Sequence, residues 1–156
     1  MSEESLFADK VRVRSCAVII NQGKVLLIKQ KAPTRSEPIW LPPGGGVEMG
    51  ESSQKAVIRE VFEETHLTIS PKKLLYVHEF IEPPFHAVEF YYLSEIISGE
   101  LKKGSDPELK ITDQQIIECK FVEISHLKNI SLYPQFLQEE IPKLKNLKSV
   151  KHFISS

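Results

Sequence analysis

The stretch Ser52–Thr65 is the clearest helix in the chain, and it carries charge where a purely structural helix would avoid it. At about 100° per residue, Val57, Ile58, Val61 and Phe62 form an apolar arc expected to face a sheet. Glu60, Glu63 and Glu64 lie on a neighbouring arc, spaced so that all three carboxylates share one surface patch. Like charges at these spacings each cost roughly 0.2–0.5 kcal/mol. The patch also occupies the last turns, where the helix dipole disfavours anions by a further ~0.3–1 kcal/mol each. One account is a solvated acidic face moderated by Lys55 and Arg59. The other is a bound divalent cation, which removes both penalties; hard oxygen ligands in this density suit Mg²⁺ or Mn²⁺.

Just upstream, Gly44, Gly45 and Gly46 let the backbone approach another group closely and expose its N–H and C=O groups. Alone they read as a plain turn. No Gly-Lys-Ser/Thr follows, so they are not a P-loop, and they do not fit Gly-x-Gly-x-x-Gly opening a helix. Taken with Glu51 and the acidic helix, they read as a loop that cradles metal and phosphate.

The rest of the chain is mostly strands. Cys16–Ile20 and Val25–Ile28 flank the turn Asn21–Lys24 and predict a hairpin. Ile39–Leu41 is a strand end stopped by Pro42 and Pro43. Leu74–Ile81 reads as a strand, Glu82–Phe85 as a turn, and Ala87–Ile97 as a central strand apolar on both faces. The polar stretch Glu100–Gln115 looks like a loop, Ile116–Ile124 like a final strand, and Pro134–Leu147 contains a second helix that Pro142 should kink or end. Strands outnumber helices without regular alternation, which favours an α/β (α+β) fold with a mixed β-sheet and flanking helices.

Length and composition narrow the options. A chain of 156 residues fits one domain spanning 1–156. Its 41% hydrophobic and 26% charged residues indicate neither disorder nor membrane residence, and no apolar run approaches the ~20 residues that span a bilayer. A net charge of -1 gives no broad attraction to DNA or an anionic surface. Lys143, Lys145, Lys148 and Lys151 read as a solvated basic tail, with a nucleic-acid arm as the alternative. Cys16 and Cys119 sit beside apolar runs as buried reduced thiols, and the acidic N-terminus lacks a signal-peptide pattern. The chain therefore reads as cytoplasmic.

The run Gly45-x5-Glu51-x7-Arg59-Glu60-Val61-x-Glu63-Glu64-x-His66-Leu67 resembles the Nudix box, G-x5-E-x7-R-E-U-x-E-E-x-G-U with U a bulky aliphatic. Every fixed position is met except one, where His66 replaces the family glycine. The resemblance implies a Nudix-type α/β/α sandwich of the MutT-like kind and a pyrophosphohydrolase acting on a nucleoside diphosphate linked to another moiety. It implies Glu60, Glu63 and Glu64 as ligands of Mg²⁺ (with Mn²⁺ as substitute), a backbone carbonyl of Gly44 or Gly45 completing coordination, and Glu51 and Arg59 in support. At the position of His66 the family glycine ends the helix in a left-handed conformation, so His66 either adopts it at a steric cost or the helix ends differently. An extra ligand or base at His66 is the functional alternative.

A general base beyond the box often precedes the last core strand in this family. Gln115 occupies that place, so Asp113, Glu108, Glu118 or a box glutamate are the candidates. Substrate contacts are expected from Trp40, Phe80, Phe85, His86, Tyr91 and Tyr92, which could stack on a base or simply pack the core, and from Arg35 and Lys29. Pro83 and Pro84 stand near a proline found in relatives that hydrolyse ADP-ribose, although a turn there would favour proline anyway. The expected substrate is a small nucleotide, ADP-ribose, a nucleotide sugar or a (d)NTP. A non-catalytic nucleotide sensor and an RNA-cap or RNA-end hydrolase are the alternatives, and a homodimer is common in the family.

Overall fold

The computed structural model describes residues 6–32, 35–104 and 116–156. Among these described residues nine strands form two sheets. They are β1 (Lys10–Val18), β2 (Ile20–Asn21), β3 (Lys24–Gln30), β4 (Ile39–Leu41), β5 (Gly44–Gly46), β6 (Leu67–Glu82), β7 (Phe85–Gly99), β8 (Ile116–Glu123) and β9 (Lys151–Ser155). The larger sheet runs β5-β1-β7-β6-β9; β1 is parallel to β7 and β6 to β9, while the other pairs are antiparallel. In the smaller sheet β3 pairs with β2, β4 and β8. Helix α1 (Ser53–Thr65) covers one face of the larger sheet, and helix α2 (Leu137–Glu140) packs into the core on the other, so the fold is a mixed-sheet α/β sandwich.

Strand alternation builds the two cores. Successive side chains of β1 point to opposite faces. Ala17 and Ile19 pack with Val57 and Val61 of α1, whereas Cys16 and Val18 join Tyr76, Tyr91, Leu127 and Leu137 on the far side. The expected hairpin forms around Gln22 and Gly23, with φ of 51° and 75°, the left-handed pair that matches strand twist in a two-residue turn. Its two long arms nevertheless part company: β1 joins the larger sheet and β3 the smaller, with only Ile20–Asn21 completing the hairpin.

Helix α1 starts where Ser52 Oγ accepts the Lys55 N–H at 3.1 Å. It ends on His66, which takes the left-handed conformation (φ 63°) and donates its N–H to Phe62 O. His66 thus does what the family glycine does. Two of the last carbonyls are satisfied from the segment after β7: Lys102 N–H reaches Thr65 O at 2.9 Å and Gly104 N–H reaches Glu64 O at 2.7 Å. A Cβ on Gly104 would stand 1.7 Å from Glu63 O, so the cap depends on glycine there.

Several expectations need correction. Gly44–Gly46 is a strand, paired with Cys16–Arg14, rather than a loop. Strand β6 begins at Leu67, and register shifts near Pro71 and Leu74 break the alternation that would have revealed it. Ile116–Glu123 is not the final strand, because part of the basic tail forms β9. Phe62 is 52% exposed instead of facing the sheet; Ala56 and Thr65 are buried in α1 beside Val57 and Val61. As expected, Pro142 ends a regular helix, and Ile141–Asn146 continues as a 3₁₀ turn.

Candidate active site

Strand β5 is the edge of the larger sheet, and its missing side chains determine what reaches across it. A Cβ on Gly45 would lie 2.4 Å from Cδ of Glu60, so the Glu60 carboxylate occupies the space a side chain would fill. Next to it the Gly44 N–H donates to Glu64 Oε1 at 2.7 Å. Glu64 is 8% exposed. From a helix on one face of the sheet, both carboxylates thereby arrive in the cleft on the other side, where Gly44, Gly45, Glu60 and Glu64 share one wall.

Arg59 organises the opposite side of this edge. Its Nε and Nη2 form a fork on Glu51, at 3.2 and 2.6 Å, and Nη2 also donates to Gly46 O at 2.9 Å. Nη1 reaches Glu60 Oε1 at 2.9 Å and both oxygens of Glu63 at 3.4 Å. One guanidinium therefore binds the carboxylates of Glu51, Glu60 and Glu63, and offsets much of the repulsion expected on the helix. The hydrogen bond from Arg59 holds the Glu51 carboxyl below the usual carboxylate range, and Glu51 in turn raises the Arg59 guanidinium.

The carboxylates do not form a single patch. Glu64 turns to Gly44, Glu60 passes over Gly45, and Glu63 stays beside Arg59 with its side chain 25% exposed. Among the described residues, no three His, Cys, Asp or Glu side chains are drawn together tightly enough to hold an ion. Of the candidate bases, Asp113 and Glu108 lie outside the described residues, as does Gln115. Glu118 pairs with Lys120 at 3.4 Å and is absent from the cleft lining.

The cleft has a volume of about 430 Å³ and lies between the two sheets. Phe80, Phe85, His86 and Tyr91 line it, as does Arg35, whose guanidinium stacks on Tyr133 at 3.9 Å. Trp40 and Tyr92 are core residues instead: Trp40 packs beneath Lys29 and Lys120, and Tyr92 shares a 2.7 Å hydrogen bond with Ser53 on the helix side. Lys29 is thereby drawn to Trp40 and is not in the cleft lining.

The cleft floor also contains a polar group that sequence reasoning missed. Arg14 Nη1 donates to Glu89 Oε2, while Glu89 Oε1 accepts from Tyr91 (3.2 Å) and meets His78 Nδ1 (2.8 Å). His78 Nε2 meets Ser155 Oγ of β9 at 2.8 Å. Burial alone would raise the Glu89 carboxyl, but Arg14, His78 and Tyr91 together hold it below the ordinary carboxylate range. Two signals were available: the basic residues alternating with valines in Val11–Arg14, and a lone charge at Glu89 within an apolar stretch.

Comparison with known proteins agrees with this geometry. A family model described as the NUDIX domain matches residues 10–144. The chain belongs to the Nudix hydrolase family. By that membership it is a pyrophosphohydrolase. It is 30% identical over 131 residues to the ADP-ribose pyrophosphatase of Methanocaldococcus jannaschii, covering 83% of this chain and 72% of that protein. It is 37% identical over 93 residues to the m7GpppN-mRNA hydrolase NUDT17 of Danio rerio, spanning 56% of this chain but 31% of that protein. A NUDIX hydrolase from Nitrosomonas europaea superposes with a TM-score of 0.72 at 21% identity, covering 88% of this chain and 90% of the other, and so shares the fold of this Nudix domain.

Proposed function

We propose that this Nudix protein uses Mg²⁺ to hydrolyse the diphosphate linkage of a nucleoside diphosphate derivative, with ADP-ribose as the leading substrate, and works in the cytoplasm as one domain over residues 1–156. The observation that carries the reading is the passage of Glu60 through the side-chain gap at Gly45, which delivers a helix carboxylate to a cleft of nucleotide size. The similarity to a protein named ADP-ribose pyrophosphatase supports that substrate class. Phe80, Phe85 and His86 supply surfaces on which a base would stack.

The donor set fits a hard divalent cation. Glu60 and Glu64 offer carboxylate oxygens at the cleft wall, where Gly44 and Gly45 stand beside them. Glu60, Glu63, Glu64 and Gly45 would hold the ion, with Glu63 turning from Arg59 toward Glu60 and Glu64 to complete the set and Mn²⁺ as a substitute. When bound there, the cation neutralises the diphosphate and lowers the pKa of an attacking water. The chain's own residues do the remaining work. Arg59 orients Glu60 and ties it to Glu51, and the Gly44 N–H aims Glu64 into the cleft. With Glu118 turned to Lys120, Glu60 and Glu64 are the candidate proton acceptors for water among the described residues.

An RNA-directed reading would rely on the C-terminal lysines as a basic arm. Lys151, one of the four, is instead tied from β9 to Glu140 of helix α2 at 3.0 Å, which weakens that arm and favours a small nucleotide. The test is a panel of ADP-ribose, dNTPs, diadenosine polyphosphates and capped RNA, with Mg²⁺ and then with EDTA. We expect ADP-ribose to yield AMP and ribose 5-phosphate, with turnover abolished by EDTA and by Glu63→Gln. Activity that survives either treatment refutes the metal-dependent mechanism. No turnover on the whole panel would leave a nucleotide-binding protein without hydrolase activity.

A further inference from the structure

The floor of the cleft holds one row of residues across four strands. In register, Gly46 of β5 stands beside Arg14 of β1, Arg14 beside Glu89 of β7, and Glu89 beside His78 of β6. Neighbouring strands are about 4.8 Å apart, so Arg14 is one strand away from the edge where Glu60 and Glu64 enter. Its side chain is 17% exposed, and Arg14 lines the cleft together with both glutamates.

A purely structural role accounts poorly for this cation. Strands β1, β7 and β6 are already joined by backbone hydrogen bonds along their length, and a buried ion pair adds little net stability over apolar packing. A guanidinium has five N–H donors. Arg14 spends Nη1 on Glu89, and no other hydrogen bond to it is made among the described residues. Donors thus remain beside an open cleft. Glu89, by contrast, has both oxygens engaged and offers the cleft no base. An ionised carboxylate only accepts, so the His78 Nδ1 carries a hydrogen toward it, and Ser155 fixes the other ring nitrogen.

We propose that Arg14 is the diphosphate-binding cation of this cleft, donating from its remaining N–H groups to the non-bridging phosphate oxygens of a nucleoside diphosphate, with Glu89 and His78 as positioning residues. The inference rests on the reading that the cleft admits a nucleotide, but it does not require hydrolysis. Glu89 holds the guanidinium in one orientation, and His78, locked from β9, holds Glu89. A planar guanidinium pinned at one end presents a fixed pair of donors, which a lysine would not.

Binding without metal separates this role from catalysis. ADP, inorganic diphosphate and adenosine are titrated calorimetrically in EDTA into the wild type and into Arg14→Met, Arg14→Lys and Glu89→Gln, with the thermal midpoint of each variant recorded. Arg14→Met should bind ADP and diphosphate at least about tenfold more weakly, the loss expected for a charge-assisted hydrogen bond, with adenosine affinity unchanged. Arg14→Lys should lie between the two, and it carries the test if the methionine variant fails to fold. Glu89→Gln should raise KM for ADP-ribose more than it lowers kcat, since it loosens the anchor and leaves the carboxylate edge intact. Wild-type affinity for ADP in a folded Arg14 variant overturns the proposal, as does an equal loss for adenosine or no ADP binding by the wild type. ADP binding that depends on Arg14, without turnover of any substrate in Mg²⁺, would uphold it while refuting the hydrolase reading.

Discussion

The main-chain N–H of Gly44 and the Oε1 of Glu64 are 2.7 Å apart, a hydrogen bond from the edge strand to a carboxylate of the covering helix. Beside it, Gly45 makes room for Glu60. Gly45→Ala should therefore displace Glu60 without touching the helix core. We expect kcat on ADP-ribose to fall by about 100-fold, with a stability loss of about 1–3 kcal/mol for overpacking. Steady-state kinetics with a urea titration checks both, and an unchanged kcat contradicts the role given to Glu60.

Arg59 binds Glu51 through a fork that lysine does not reproduce. Arg59→Lys should lower activity by about 10–100-fold, the range for a residue that orients metal ligands. Apparent Mg²⁺ affinity should fall with it. A Mg²⁺ titration of initial rates gives the answer, and a variant with wild-type dependence would reduce Arg59 to a helix ornament.

His66 adopts a left-handed backbone that costs a non-glycine residue about 1–2 kcal/mol. It recovers part of this through Nδ1, 3.1 Å from Lys102 O, and an edge contact with Phe62. His66→Gly should therefore raise stability by about 0.5–1 kcal/mol and leave kcat unaltered. Denaturant midpoints measure the first effect. A loss of turnover in a stabilised variant would instead make His66 part of the chemistry.

Glu51 and Glu89 have carboxyls held below the ordinary value by their arginine partners. For a group depressed on folding, the stabilisation is complete above the unfolded pKa and is lost as pH falls through the folded one. Urea midpoints should thus decline below about pH 4.5, near the free glutamate value. Glu89→Gln should be less stable at neutral pH and flatter in acid. An identical acid profile would show that Glu89 does not titrate with folding.

Burial pushes the Cys16 thiol up to about 12 and raises Cys119 as well. In native protein at pH 8, Ellman's reagent should leave Cys16 untouched and modify Cys119 slowly, whereas both should react in guanidinium. Rapid modification of Cys16 would mean that β1 opens easily.

The reacting end of the site was legible because its residues are local: Glu51, Arg59, Glu60, Glu63 and Glu64 lie within four helical turns and the loop before them. Their division of labour was not. Periodicity placed the three helix glutamates on one arc, but it could not show that a strand of bare backbone would separate Glu64 and Glu60 from Glu63. Long-range pairings were harder. Strand β9 is short and begins Lys151-His152, so it reads as tail until it lies beside Tyr76–Phe80. The Arg14–Glu89–His78 row joins positions far apart in the chain, so the separate signals at Arg14 and Glu89 did not reveal that they meet.

The glycine strand has a last consequence, for self-association. An edge strand is a template for other chains because its outward N–H and C=O groups are unpaired. In β5 two of those groups, the Gly44 N–H and the Gly46 carbonyl, are taken by Glu64 and Arg59. The side chains assembled for phosphate chemistry therefore also cover part of one margin of the sheet against intruding strands. Variants that strip Arg59 or Glu64 should reopen that margin, and a loss of solubility would accompany the loss of turnover.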